Sequence, residues 1–411
     1  MQNHAALKSF LAGRLPATLD LLRDMVNINS FTANRDGVNH LARFTTDAFA
    51  SLSFTAESVP SINPGYGEHL ILTRRGRNTS GRSIAMISHL DTVFPPEEEV
   101  RNNFRWQREG NLIYGPGTHD IKGGTAMMWL VLHALREHAP ETFEDITWKL
   151  FWNSSEEVLS HDFGEVCKTR FEPRTLGALV FESEGRLGDE TLMVVARKGR
   201  GTWRVRVAGR GAHAGGRHRQ GANAIVQMGR LLERIAALTD YSRDLTFNVG
   251  SISGGTVLNR VPHEAVAEGE FRAFTPEAYN AGKAALLALA GPGDVCAVTD
   301  RFPCTIEVEI LSESRSWPRN PGTDRLASLW MEAGKSLGQR VNTEQRGGLS
   351  DGNQIWDAVP TLDGLGPWGD NDHCSERSTD GTKVPEYVEV SGFVPKAELN
   401  VAAILKLAGE G

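Results

Sequence analysis

Thiols are scarce in this chain. Cys167, Cys296, Cys304 and Cys374 are the whole complement in 411 residues, widely spaced and with no Cys-x-x-Cys pair. That excludes a zinc ribbon and a disulfide-stapled fold, and it fits a reducing compartment. Basic residues are outnumbered: 44 Lys and Arg face 51 Asp and Glu, a net charge of -7. The basic footprint of a nucleic-acid-binding protein is therefore missing. No apolar run approaches the roughly 20 residues that span a bilayer, so no membrane partner is expected. Met1-Gln2-Asn3-His4 is not a basic segment leading into an apolar one. No secretory signal is read there, and a cytoplasmic location is predicted. Internal repeats, low-complexity tracts and blocks of like charge are absent too.

What is present is the composition of a globular enzyme, 40% hydrophobic and 23% charged, in a chain long enough for two domains. Helical periodicity runs from Ala5 to Ile28, with an interruption expected at Pro16, and again from Gly37 to Leu52. Strands are read at 54–59, 69–74, 83–95, 146–152 and 177–181, with a buried helix at 125–138. Strands alternating with helices predict an α/β fold with a mixed, mostly parallel sheet. The texture changes after Val195. Thr202–Val207 alternates as a two-faced strand, Gly221–Leu238 is amphipathic, and two strands flank Gly254-Gly255. This segment reads as an inserted α+β domain, 197–314, between catalytic parts 1–196 and 315–411.

The chemistry gathers where strands end. Ser83–Pro95 reads as a buried strand that delivers His89 and then Asp91. Side chains two apart on a strand point the same way, so the carboxylate can orient the imidazole. Asp120, Glu156-Glu157 and Glu182 follow at later turns, and His373 lies in the loop 366–374. Carboxylates with two histidines and no thiolates form the donor set of a hydrolytic zinc, cobalt or manganese centre. So many carboxylates suggest two ions about 3.5–4 Å apart, one carboxylate bridging. Glu156 and Glu157, read as neighbours on a strand end, point to opposite sides. One can then ligate while the other acts as general base toward the attacking water. Gly115-x-Gly117 is not read as a dinucleotide turn. Asp120 falls on the third glycine position, and Gly123-Gly124 instead let the next helix pack close to the sheet.

Ser88-His89-Leu90-Asp91-Thr92-Val93, Gly115-x-Gly117-x-x-Asp120-x-Lys122-Gly123-Gly124 and Ser155-Glu156-Glu157 resemble the bacterial glutamate carboxypeptidase family. That family stands among the co-catalytic zinc peptidases, with aminoacylase, peptidase T and succinyl-diaminopimelate desuccinylase. The likeness continues through Gly211-Ala212-His213-Ala214-Gly215, Gly254-Gly255-Thr256-x-x-Asn259-x-x-Pro262 and 347–353 up to His373. It implies that Asp120 bridges two ions, with a cis peptide to Ile121. It implies His89 and Glu182 on one ion, Glu157 and His373 on the other, Asp91 orienting His89 and Glu156 as the base. Glu184 is the rival to Glu182. His213 resembles a histidine that stabilises the oxyanion in the partner subunit's site, and Asn259 and Arg272 resemble residues that hold a substrate carboxylate. The insert is then a lid and dimerisation domain of a homodimer. The implied activity is cleavage of an amide bond in a small carboxylate-bearing substrate, with glutamate release as the default. The alternatives are an N-acyl amino acid deacylase and an aminohydrolase acting on a small aromatic acid. His119, His161 and His218 are not expected to be ligands, and Cys374 is expected to be a buried thiol.

Overall fold

A computed structural model describes residues 2–77 and 81–410. Its contacts divide the chain into two units. One comprises the chain up to Val195, Arg319–Gln345 and everything from Ser350 onward. The other is Ala196–Pro318 with Arg346–Leu349.

The first unit is built on a six-stranded sheet in the order Thr55–Pro60, Glu68–Arg74, Thr147–Asn153, Arg82–His89, Arg174–Val180, Thr361–Leu362. The first two junctions are antiparallel and the other three parallel. The Arg82–His89 strand has no polar face because apolar layers cover both sides, as parallel strands require. Ile84 and Met86 enter the core made with the helices Gln2–Val26, Lys122–His138 and Val390–Gly409. Ala85 and Ile87 point the other way, to Phe163, Cys167 and Ile355. Ile84, Met86 and Ile87, fully buried, each contribute about 1.5–3 kcal/mol. Gly124 is where the Lys122–His138 helix meets the sheet. A Cβ there would collide with the Phe181 carbonyl, so close packing requires the glycine.

The first helix is not interrupted at Pro16; it runs unbroken from Gln2 to Val26. Proline deprives the Ala12 carbonyl of its usual partner. Both Ala12 and Pro16 lie on the exposed face, where that carbonyl is open to solvent. Leu7, Leu11, Leu19 and Leu22 are buried on either side of the proline and anchor the helix on both sides of it.

The second unit is a five-stranded antiparallel sheet in the order Thr246–Gly254, Glu264–Ala273, Gly199–Ala208, Pro303–Ser314, Gly291–Cys296. Trp203, Val205 and Val207 alternate onto one face, where they meet Met228, Leu231 and Ile235 of the helix Ala224–Ala236 and Leu286 of Pro276–Leu287. Each helix starts on a side-chain cap: Asn223 accepts from the Val226 amide and Thr275 from that of Ala278. The opposite face is polar, with Arg204 bonded to Glu268. Among the described residues no helix is long and apolar enough to cross a membrane.

Candidate metal centre

Parallel pairing brings three strand ends level. His89 lies opposite Asn153, and the Phe181 amide bonds to the Ile87 carbonyl, so Glu182 emerges beside His89. The carboxyl edge of such a sheet is where ligands collect. Asp120 comes from the turn that precedes the helix Lys122–His138, and its peptide to Ile121 is cis. His373 sits at φ +64°, left-handed backbone that costs a residue with a Cβ about 1–2 kcal/mol.

Asp120 stands between the two imidazoles. Its Oδ1 is 2.9 Å from His89 Nε2, and its Oδ2 is 3.4 Å from His373 Nε2. Glu182 Oε1 lies 3.7 Å from His89 Nε2, and Glu157 Oε2 3.3 Å from His373 Nε2. Two donor sets result, His89-Asp120-Glu182 and Asp120-Glu157-His373. Within each, one ligand atom per residue lies within 4.8 Å of the others. These five residues are the set expected to hold metal, and the structure brings them together.

The other ring nitrogen of His89 faces Asp91. Nδ1 is 2.9 Å from the Asp91 main-chain carbonyl and 3.5 Å from its carboxylate. The carboxylate is engaged elsewhere. Oδ1 accepts from the Glu156 amide at 3.0 Å, and Oδ2 accepts from the Glu157 amide at 3.2 Å and the Thr32 hydroxyl at 2.7 Å. Glu156 and Glu157 are not on a strand. Their strand ends at Asn153, and the pair occupies a single 3-10 turn, Glu156–Val158. Asp91 pins that turn by its first two amides.

Burial pushes Glu156 well above the usual carboxylate range, and burial with the Asp120 charge lifts Glu157 to about 7. Burial also lifts Asp351, which accepts from Asn153 at 2.7 Å, to about 7. Asp120 goes the other way. Burial opposes its charge, but the two imidazoles hold it well below its ordinary range. Contact with Asp120 and Glu157 raises His373 to about 11. Crowded acids answered by imidazolium form a site that exchanges protons for cations, so this donor set fits divalent metal. Binding there would release the histidine protons.

Glu184 is buried too, but turned away from the centre. It meets Lys396 at 3.5 Å, Arg186 at 3.3 Å and the Thr191 hydroxyl at 3.0 Å. His119 is buried, while His161 and His218 are exposed. Cys374 is half-exposed rather than buried, because its loop lies at the surface next to the exposed His373. Glu386 went unread in the sequence. It is fully buried, and one oxygen accepts from the His119 amide at 2.8 Å and the Asp120 amide at 3.2 Å. Nothing local marks it; it is one acid among others after Pro385.

His213, Asn259 and Arg272 belong to the second unit. His213 Nδ1 accepts from the amides of Gly215 and Gly216 at 3.1 and 3.0 Å. That fixes the neutral tautomer and leaves an exposed Nε2–H as donor. The Ala214 amide donates to the Asn259 carbonyl, so both residues ride on paired segments. Arg272 is already engaged. Its Nε and one terminal nitrogen reach the Glu270 carboxylate at 2.8 and 3.1 Å, and the other donates to the Gly347 carbonyl at 2.8 Å. Glu270, two residues earlier on the same strand face, is a second residue the sequence reading missed.

Residues 195–290 match the peptidase dimerisation domain of the M20 class. Over 401 residues the chain is 25% identical to carboxypeptidase G2 of a Pseudomonas species, spanning 96% of this chain and 90% of that protein. The chain is thus similar to M20 metallopeptidases along nearly its whole length. It is read accordingly as a hydrolase of peptide or amide bonds. Solved structures agree on the fold. Aminopeptidase PepT of Bacillus cereus superposes with a TM-score of 0.74 at 22% identity, covering 96% of this chain and 99% of that one. The Bacillus subtilis YXEP protein, described as a dinuclear metal-binding M20 peptidase, gives 0.65 at 14%, covering 97% and 99%.

Proposed function

We propose that this chain is a dinuclear metal-dependent amidohydrolase, glutamate-carboxypeptidase-like, that cleaves a small substrate carrying a free carboxylate. The observation that carries this reading is Asp120, with one carboxylate oxygen toward each imidazole and a second acid beside each pair. His89 and Glu182 would hold one ion, Glu157 and His373 the other, and Asp120 both. Zinc is our first choice, with cobalt or manganese as substitutes. When bound, such ions polarise the scissile carbonyl and acidify the attacking water.

The chain's own groups do the rest. Glu156 takes the proton from the attacking water and returns it to the leaving amine. Its raised proton affinity, caused by burial, favours taking up that proton. His213 donates its fixed Nε2–H to the developing oxyanion in the site of a second copy. Asn259 and Arg272 hold the substrate carboxylate, with Glu270 as the anion that substrate must displace. Arg217, Arg219 and Arg260 stand exposed on the same loops, a positive surface suited to an anionic ligand. The match to a dimerisation domain supports a homodimer. So do the apolar side chains exposed in that unit, Ile225, Val226, Ile252, Val257 and Leu258. Free cysteines fit a reducing compartment, and we place the enzyme in the cytoplasm.

The test is a panel of C-terminal glutamyl dipeptides, other dipeptides and N-acyl amino acids, each assayed with zinc, cobalt and manganese. Metal-dependent release of the amino acid is expected, and Glu156→Gln should abolish it while keeping the metal. A preference for N-acyl amino acids would shift the assignment to a deacylase. Full turnover in Glu156→Gln, or activity indifferent to chelation, would overturn it.

A further inference from the structure

The segment that carries Glu156 and Glu157 has little to hold it. Between Ser154 and Asp162 it contains a single 3-10 turn, and Leu159 follows at φ +64°. Asp91 fixes its start from one side. A second support is an imidazole outside the metal centre, His69 on the strand Glu68–Arg74.

His69 is fully buried, its ring 5.2 Å from that of Phe163. Nδ1 accepts from the Ser154 amide at 3.1 Å. That leaves the proton on Nε2, which donates to Asp162 Oδ2 at 3.3 Å. Asp162 in turn accepts from the Ile62 amide at 2.6 Å and the Ser160 hydroxyl at 3.0 Å. One ring therefore binds both ends of the segment, Ser154 at its entry and Asp162 at its exit. Ser154, His69 and Asp162 share the residue types of a hydrolytic triad, but they are not one. Ser154 and His69 are both 0% exposed, and the Ser154 hydroxyl donates to the Gly67 carbonyl at 2.8 Å. No substrate reaches that oxygen, and its proton points away from the ring.

We propose that His69 is a positioning residue: it clasps the two ends of the Ser154–Asp162 segment and so sets where Glu156 stands. The consequence for turnover rests on the reading of Glu156 as the base; the clasp itself does not. The two ends can be separated by mutation. Asparagine places an acceptor where Nδ1 is and keeps the Ser154 end. Glutamine reaches the Nε2 position and keeps the Asp162 end. Leucine keeps neither. Asp162→Asn, at a partly exposed site, weakens the exit alone.

The experiment is hydrogen–deuterium exchange of the metal-free protein, with metal content, kcat and KM of the loaded enzyme. In His69→Leu, amides 155–161 should exchange about tenfold faster, as expected for the loss of a hydrogen bond at each end, with the sheet strands unchanged. With two ions still bound, kcat should fall about 10²-fold, the cost of misplacing a catalytic group by an ångström, while KM stays put. His69→Asn and His69→Gln should each recover part of both effects, and Asp162→Asn should resemble His69→Asn. If His69→Leu does not fold, the Asn, Gln and Asp162 variants decide the matter. Unchanged exchange in 155–161 across these variants would overturn the clasp. Faster exchange with unchanged kcat, alongside an active Glu156→Gln, would instead overturn the base assignment.

Discussion

Asp91→Asn separates two ways in which one carboxylate can serve a metal centre. If its service is to orient His89, the damage falls on the ion held by His89 and Glu182. The distances argue otherwise. The His89 Nδ1–H has a closer acceptor in the Asp91 main-chain carbonyl, 2.9 Å against 3.5 Å, and no side-chain change removes it. What the substitution removes is an acceptor for the Glu156-Glu157 turn. The least harmful asparagine keeps oxygen at the Oδ1 position for the Glu156 amide and places NH2 at Oδ2. Thr32 can rotate its hydroxyl to accept, but the Glu157 amide then faces another N–H. One buried amide left unsatisfied costs about 1–3 kcal/mol. Loss of charge assistance at the remaining bond adds about 1 kcal/mol. The sum, about 2–4 kcal/mol, is below the total stability of a typical fold, so the protein should stay folded with a lower Tm. Affinity at the His89–Glu182 site should change less than about tenfold, the low end of losses for groups behind a ligand. Turnover should fall about 10²-fold as Glu156 shifts. Metal titration with crystallographic occupancy at each position, alongside kcat, measures both. Loss of the His89–Glu182 ion first would refute this reasoning, and unchanged turnover would refute any role for the carboxylate.

Glu386→Ala strips the acceptor from the His119 and Asp120 amides, and should weaken metal binding about tenfold with a fall in Tm. Glu386→Gln, which keeps one acceptor oxygen, should stay within a few-fold of wild type by the same titration. His133 is buried against Trp129 beside Arg136 and Arg14, and burial, then those cations, push it down to about 4. The folded state binds its proton less well than the unfolded chain, so its stability contribution is full above about pH 6.5 and is lost as pH falls through that value toward 4. The drop in Tm between pH 7 and pH 5 should therefore be smaller in His133→Leu than in wild type; equal drops would remove His133 from the account. Glu270→Gln should free the Arg272 fork and lower KM for a carboxylate substrate about fivefold, whereas Arg272→Ala should raise it. An unchanged KM in both would take the pair out of substrate binding.

The proposed metal ligands were legible because they follow from position. A run buried on both faces that turns polar at its end marks the carboxyl edge of a parallel sheet, and His89 and Glu182 stand there for that reason. The choice between Glu182 and Glu184 had no such local basis. What favours Glu182 is Lys396, from a helix more than two hundred residues downstream, which takes Glu184 as its partner. Pro16 misled because a proline signal is read without knowing which face of the helix it occupies. The Glu156-Glu157 pair was assigned alternating strand geometry because nothing in Asn153-Ser154-Ser155 announces where pairing stops. The strand ends where the Asn153 carbonyl takes the Leu90 amide as its last partner.

The residues that hold the loops of this centre share one physical task. Ligands at strand ends ride on irregular loops, and irregular backbone leaves amides that neither helix nor sheet can satisfy. When such a loop is buried, each of those amides needs an acceptor. Asp91 serves the amides of Glu156 and Glu157, Glu386 those of His119 and Asp120, and His69 that of Ser154. The acceptor has to approach from another part of the fold, because the loop's own neighbours are already spent in the strand or the turn. His69 lies 85 positions from Ser154, and Glu386 lies 267 from His119. Motif spacing therefore finds the proposed ligands and misses what holds the loops still. Substitutions in this second group should damage turnover while sparing the ligand list itself.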